Sequence, residues 1–169
     1  MNEVFDVAND ERSPIYYTDT DSLHMDFADV NKLNLAYFMK YKKQLIGTDL
    51  EQFHTDFDLD GADGEIYAIK SIFLGKKSYY DKLECINKNG DVISGSHIRL
   101  KGITKEGLEH EAKKYENGYE GLYEDLAYEN EIEFILNPFN EEQNKEKVLF
   151  EFKNGKVSTK KEFGRKVRF

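Results

Sequence analysis

Asp19 and Asp21 are the residues of this chain whose type and spacing most clearly suit chemistry. They lie in the stretch Tyr16-Tyr17-Thr18-Asp19-Thr20-Asp21-Ser22-Leu23-His24-Met25. Two carboxylates this close repel each other in a folded chain. Either one takes up a proton or a cation sits between them. Magnesium, with its demand for hard oxygen ligands, suits the second case. The plain alternative is a polar turn, because Asp and Thr are common turn residues.

The flanks of this knot must position it. Ile15 and Tyr17 alternate with Tyr16 and Thr18 before it; Leu23, Met25 and Phe27 alternate with His24 and Asp26 after it. That pattern predicts an acidic hairpin over residues 14–27, with the acids at the bend. In extended chain, residues two apart share a face. Asp19 and Asp21 are therefore expected to project together, with Thr20 pointing away.

The remaining elements follow from changes of period. Residues 1–13 read as an irregular or weakly helical entry. Leu33, Leu35, Tyr37, Phe38, Tyr41 and Leu45, interleaved with Lys and Gln, predict an amphipathic helix from Val30 to Ile46, stopped by Gly47. Residues 49–64 carry Asp56, Asp58, Asp60 and Gly61, the opening of a calcium loop. The bidentate Glu that such a loop needs is Tyr67 here, so an acidic strand ending in a Gly turn is the better reading. Glu65–Leu74, Ser78–Asn87 and Val92–Leu100 predict an antiparallel three-strand meander, with Asn89-Gly90 as a hairpin signal. Thr104 is a fair N-cap for a helix over 104–116, and a second helix is expected over 119–130. Strand-like pieces follow at 132–136, 148–152, 157–159 and 167–169.

With 169 residues, 39% of them hydrophobic, the chain can bury a core in one domain or two small ones. The single Cys85 cannot form an internal disulfide, which suits a reducing, cytoplasmic setting. No apolar run approaches the ~20 residues of a membrane helix, so no membrane partner is expected, and the N-terminus does not read as a signal peptide. The net charge of −9 argues against a nucleic-acid partner when taken alone. The charge is uneven, however. Residues 153–169 hold seven Lys or Arg against Glu162, a net +6 that leaves −15 on the other 152 residues. An acidic body with a basic tail is compatible with a local DNA surface, and equally with a solvated tail. His24, His54, His97 and His110 show no zinc-ligand spacing.

The full string Tyr17-Thr18-Asp19-Thr20-Asp21-Ser22, with an aromatic strand before it and Leu-His-Met after it, is far rarer than a bare pair of acids. It resembles the palm-domain motif C of family B DNA polymerases. The resemblance implies nucleotidyl transfer helped by two Mg2+ ions about 4 Å apart. It also implies metal-binding and catalytic roles for Asp21 and Asp19, with Asp21 the firmer ligand, and places Tyr17 beside the nascent pair at the primer end. Gly75-Lys76-Lys77-Ser78-Tyr79-Tyr80 resembles the Lys-x-Tyr motif of the protein-primed and related viral branch, in which Lys77 and Tyr79 would grip the primer strand. A Lys meets phosphate as a mobile point charge, and a Tyr offers a flat face and a hydroxyl. Arg99-Leu100-Lys101-Gly102 resembles the junction before the first thumb helix, where Arg99 and Lys101 would meet DNA phosphate. The close from Lys160 to Phe169 is like the basic-aromatic ending of several such enzymes.

The resemblance implies an α+β fold, with an antiparallel palm sheet and a covering helix over residues 1–102, then a small helical and β thumb over 103–169. The meander would continue the sheet of the acidic hairpin. Motif A, an Asp followed by Ser-Leu-Tyr-Pro, and motif B, with Asn-Ser-x-Tyr-Gly, do not occur in these residues. The expected partners are therefore a DNA primer-template, a dNTP and the polymerase portion that carries motifs A and B. The expected place is the cytoplasm or a viral or phage replication compartment. The chain would be a small subunit of a split polymerase or a piece of a longer one. The competing expectations are a non-catalytic module derived from a polymerase and a calcium-binding α+β domain.

Overall fold

A computed structural model describes residues 1–138 and 147–162, with side chains to residue 157. The basic ending, and the strand expected over 167–169, lie outside the described residues. The chain divides into two compact units, residues 1–58 and 59–169. The boundary expected near Gly102 falls inside the second unit. The reason is packing: Leu74, Tyr80 and Leu100 of the meander share one core with Leu108, Leu122 and Leu126 of the helices that follow.

The class is α+β with antiparallel sheets, as expected, and among the described residues the strands form three small sheets. The first unit opens with α1 (Asn2–Asp10), the helical one of the two forms, irregular or weakly helical, expected for this entry. Val4, Val7 and Ala8 recur at helical spacing and are buried against Leu33 and Tyr37. The hairpin follows as β1 (Ile15–Asp19) and β2 (Ser22–Met25). A two-stranded hairpin is marginal on its own. Here Ile15, Leu23 and Met25 pack on the core of α1 and of α2 (Phe27–Tyr41). The helix ends earlier than Gly47: Lys42 takes the left-handed conformation that closes it, and its N–H donates to the Phe38 carbonyl. Leu45 still reaches the core because Asn34 Oδ1 accepts from the N–H groups of Leu45 and Ile46 at 3.2 and 3.3 Å.

One part-buried polar link in this unit is sensitive to pH. The Tyr37 hydroxyl donates to Glu3 Oε2 at 2.7 Å, tying α2 to α1. That bond, then burial, pushes the phenol from 10.0 up to about 12. A raised folded-state value means the stabilisation is complete below pH 10 and disappears as pH rises toward 12. Stability to urea should therefore fall across that window. In Tyr37→Phe the part due to this residue should be absent, as followed by circular dichroism.

Residues 49–64 form no strand. They run irregularly, with one isolated bridge between Ile46 and Phe53. The second unit then builds the meander β3 (Ile66–Gly75), β4 (Ser78–Ile86) and β5 (Val92–Leu100). It is a separate sheet, in order β3-β4-β5, and does not extend the acidic hairpin. The Asn89-Gly90 turn is wider than the two-residue form: strand pairing ends at Ile86 and Val92, and Gly90 alone takes a left-handed φ of 91°. On one face of the meander, Lys70 and Lys82 stand opposite each other. Like charges so placed repel. Glu120 resolves the conflict by binding both ammonium groups, at 2.7 and 3.0 Å. The two lysines hold the Glu120 carboxyl below its ordinary range, the Lys70 bond contributing most.

Glu120 belongs to α4 (Tyr119–Ala127), which follows α3 (Lys105–Ala112). The Thr104 cap forms as expected: its hydroxyl accepts from Gly107 N–H at 3.1 Å and donates to the Leu136 carbonyl at 2.5 Å. Thr104→Ala removes both bonds. Caps of this kind are worth about 0.5–2 kcal/mol, so the denaturation midpoint should drop while the shape of the transition holds. The unit closes with a third sheet of β6 (Ile132–Ile135), β7 (Lys147–Lys153) and β8 (Lys156–Glu162). Phe134 and Phe150 meet edge to face at 6.3 Å and are fully buried.

Candidate functional site

The acids sit at the tip of the β1–β2 hairpin. Asp19 ends β1 opposite Ser22, and the bend consists of Thr20 and Asp21. Thr20 has φ 58°, a left-handed value rare for a β-branched residue. The Asp21 N–H donates to the Asp19 carbonyl at 2.7 Å, closing a three-residue γ-turn around Thr20. Ser22 Oγ donates to the same carbonyl at 3.1 Å. The tip is thus bound from both sides of the bend.

This corrects the expected orientation. Alternation applies to extended chain, and the bend is not extended. The Thr20 hydroxyl turns toward Asp19 and donates to its Oδ1 at 3.3 Å. Asp21 is exposed and Asp19 half-buried. The pair offers hard oxygen donors at an open tip, which suits magnesium, an ion commonly held by one or two carboxylates together with substrate phosphates and water. Among the described residues no group of three or more His, Cys, Asp or Glu side chains gathers to hold a metal. That holds for the Asp56–Asp58–Asp60 stretch as well.

Behind the tip, Tyr17 is buried, and its ring meets the edge of His24, its cross-strand partner, at 5.2 Å. His24 in turn lies 6.5 Å from Phe57. Tyr17 is therefore an aromatic support within the first unit, next to the acids along the strand.

The other four expected contact residues belong to the second unit and converge there. Lys77 is in the β3–β4 turn with φ 57°. Tyr79 stands directly opposite Arg99 on β5, and Ser78 opposite Leu100, next to Lys101. Ser78 draws this end together. It is fully buried, its hydroxyl donates to the Lys76 carbonyl at 3.5 Å, and it accepts from the Lys101 N–H at 3.3 Å. Lys76, Lys77, Arg99 and Lys101 are exposed. Residues 24 positions apart in sequence thus share one end of one sheet as a basic rim with a tyrosine beside it. Tyr123 anchors the rim from α4: its hydroxyl donates to the Arg99 carbonyl at 2.8 Å, and burial pushes the phenol far above its ordinary range.

Sequence reasoning passed over Ser78 and Tyr123, and also Asp81 and His97. Asp81 left a signal, being a carboxylate in the row Asp81, Leu83, Cys85, all fully buried. Ser78 and Tyr123 left none, because their partners are backbone groups brought close only by folding.

Among the described residues no helix is long and apolar enough to cross a membrane. Compared with protein-family models, curated proteins and solved structures, the chain matches none.

Proposed function

We propose that this chain is the later palm and the thumb of a family B DNA polymerase, of the protein-primed or related viral branch. It works in the cytoplasm or in a replication compartment there. It contributes to nucleotidyl transfer only with a portion that carries motifs A and B. The observation that carries the reading is the acidic hairpin: the rare Tyr-x-Asp-Thr-Asp-Ser string lies at the tip of two antiparallel strands, with Asp21 exposed and Asp19 half-buried beside it. The basic rim of Lys77, Arg99 and Lys101 with Tyr79 supports it, since phosphate contacts fix a duplex in register.

In this reading Asp21 and Asp19 are metal ligands. Magnesium, when bound, would lower the pKa of the primer hydroxyl and neutralise charge building on the phosphate. The γ-turn fixes the backbone from which both carboxylates project, and groups held in place ahead of reaction need little reorganisation as charge develops. Lys77, Arg99 and Lys101 hold primer-template phosphates, and the dNTP is held largely by the absent portion. No third strand joins the hairpin among the described residues, so an additional strand from that portion could bring the missing carboxylate by ordinary edge pairing.

The test is reconstitution. The purified chain alone should not extend a primer. Mixed with a polypeptide bearing motifs A and B, it should extend one in the presence of magnesium and dNTPs. A stable complex that never extends would count against the proposal.

A further inference from the structure

Asp81 is fully buried in the middle of the meander. A carboxylate removed from water must be compensated by partners. Each neighbouring strand supplies one, from the position directly opposite. Ser71 on β3 donates its hydroxyl to Oδ1 at 2.6 Å, and Nδ1 of His97 on β5 lies 3.4 Å from Oδ2. The second distance is long for a hydrogen bond, so charge attraction carries much of it. An apolar trio of the same volume would serve stability as well or better. Stability therefore leaves the group unexplained.

Its neighbours suggest a use. Tyr79 and Asp81 lie two apart on β4, and Arg99 and His97 two apart on β5, so all four side chains share a face. The His97 ring lies 5.3 Å from the Tyr79 ring, tilted by 51°. The chain of contact runs from a fixed carboxylate to an imidazole and from there to the tyrosine of the basic rim. We propose that the buried Asp81–His97 pair is a positioning device for Tyr79, holding its ring in the orientation from which it meets the primer strand. His97 is a positioning residue, and the proposal rests on the polymerase reading, which supplies the primer.

His97→Asn separates the two roles of the imidazole. The Asn amide keeps an N–H donor near the place of Nδ1, so Asp81 stays partnered, while the ring against Tyr79 is lost. Binding of a fluorescein-labelled primer-template to the full chain is measured by anisotropy at low ionic strength for the wild type, His97→Asn, Tyr79→Ala and the double variant. An aromatic contact of this kind is worth about threefold to tenfold in affinity. His97→Asn should weaken binding by that factor in the wild type and by nothing further in the Tyr79→Ala background. A merely structural role predicts wild-type affinity for His97→Asn, and that result overturns the proposal. So do losses that multiply independently in the double variant. A wild-type chain that leaves the duplex unbound overturns the polymerase reading itself, and the role of His97 falls with it. Asp81→Asn, which keeps hydrogen-bonding capacity but not charge, supplies a second cycle with Tyr79→Ala if His97→Asn does not fold.

Discussion

Asp21→Asn should abolish primer extension by the reconstituted complex while leaving the chain folded. Asp21 is exposed at the hairpin tip, and the hydrogen bond that holds it in the turn is donated by its backbone N–H. Substitution at such a surface site shifts stability by no more than about 0.5 kcal/mol. Loss of one charge-stabilising group at a reacting phosphate, by contrast, costs about a hundredfold to a thousandfold in rate. The melting temperature and the affinity for the partner portion should therefore stay close to wild type while extension collapses. Asp19→Asn should cost less, in keeping with the weaker role that the resemblance implies for the first acid. A reconstituted Asp21→Asn complex that extends primers at the wild-type rate would leave the non-catalytic module as the better account.

Phe134→Ala should produce the largest loss of stability. Phe134 is fully buried where the third sheet meets the helices, and its ring sits edge to face with Phe150. Truncating a buried Phe costs about 3–5 kcal/mol through lost transfer energy and the cavity left behind. That is a large share of the 5–15 kcal/mol that typically holds a domain together. Urea unfolding followed by tyrosine circular dichroism should show the midpoint fall sharply. A shift comparable to that of Thr104→Ala would mean that this core layer contributes much less than its burial indicates.

The elements that could be read from the sequence are those whose period is long and whose ends carry their own chemistry. The meander strands run nine or ten residues, β3 rich in strand-forming residues and β4 alternating, and Thr104 announces α3 through its side chain. α1 was harder, since Asn and Asp residues give it poor intrinsic propensity. What stabilises it is burial of Val4, Val7 and Ala8 against α2, a tertiary effect. The stretch around Phe53 and Phe57 looks strand-like by alternation, yet no strand forms there, because alternation supplies a face and not a pairing partner. At the candidate site, the identities of Asp19 and Asp21 were legible, but their geometry was not. A γ-turn centred on a threonine is contrary to the preference of that residue, so local rules point elsewhere. The convergence of Lys77 and Tyr79 with Arg99 and Lys101 depends on strand register, which the Gly90 turn decides by where it lets pairing begin.

The three separate sheets have a kinetic consequence. Among the described residues every strand pair joins neighbours in sequence: β1 with β2, β3 with β4, β4 with β5, β6 with β7 and β7 with β8. The β1–β2, β3–β4, β4–β5 and β7–β8 pairs can each zip from a connection of two to five residues, with little loop entropy to overcome first. Chains rich in such near-neighbour pairing fold faster than β proteins whose strands must find distant partners. The hairpin that carries Asp19 and Asp21 therefore has little chain entropy to overcome in pairing, and its packing on α1 and α2 then holds the register.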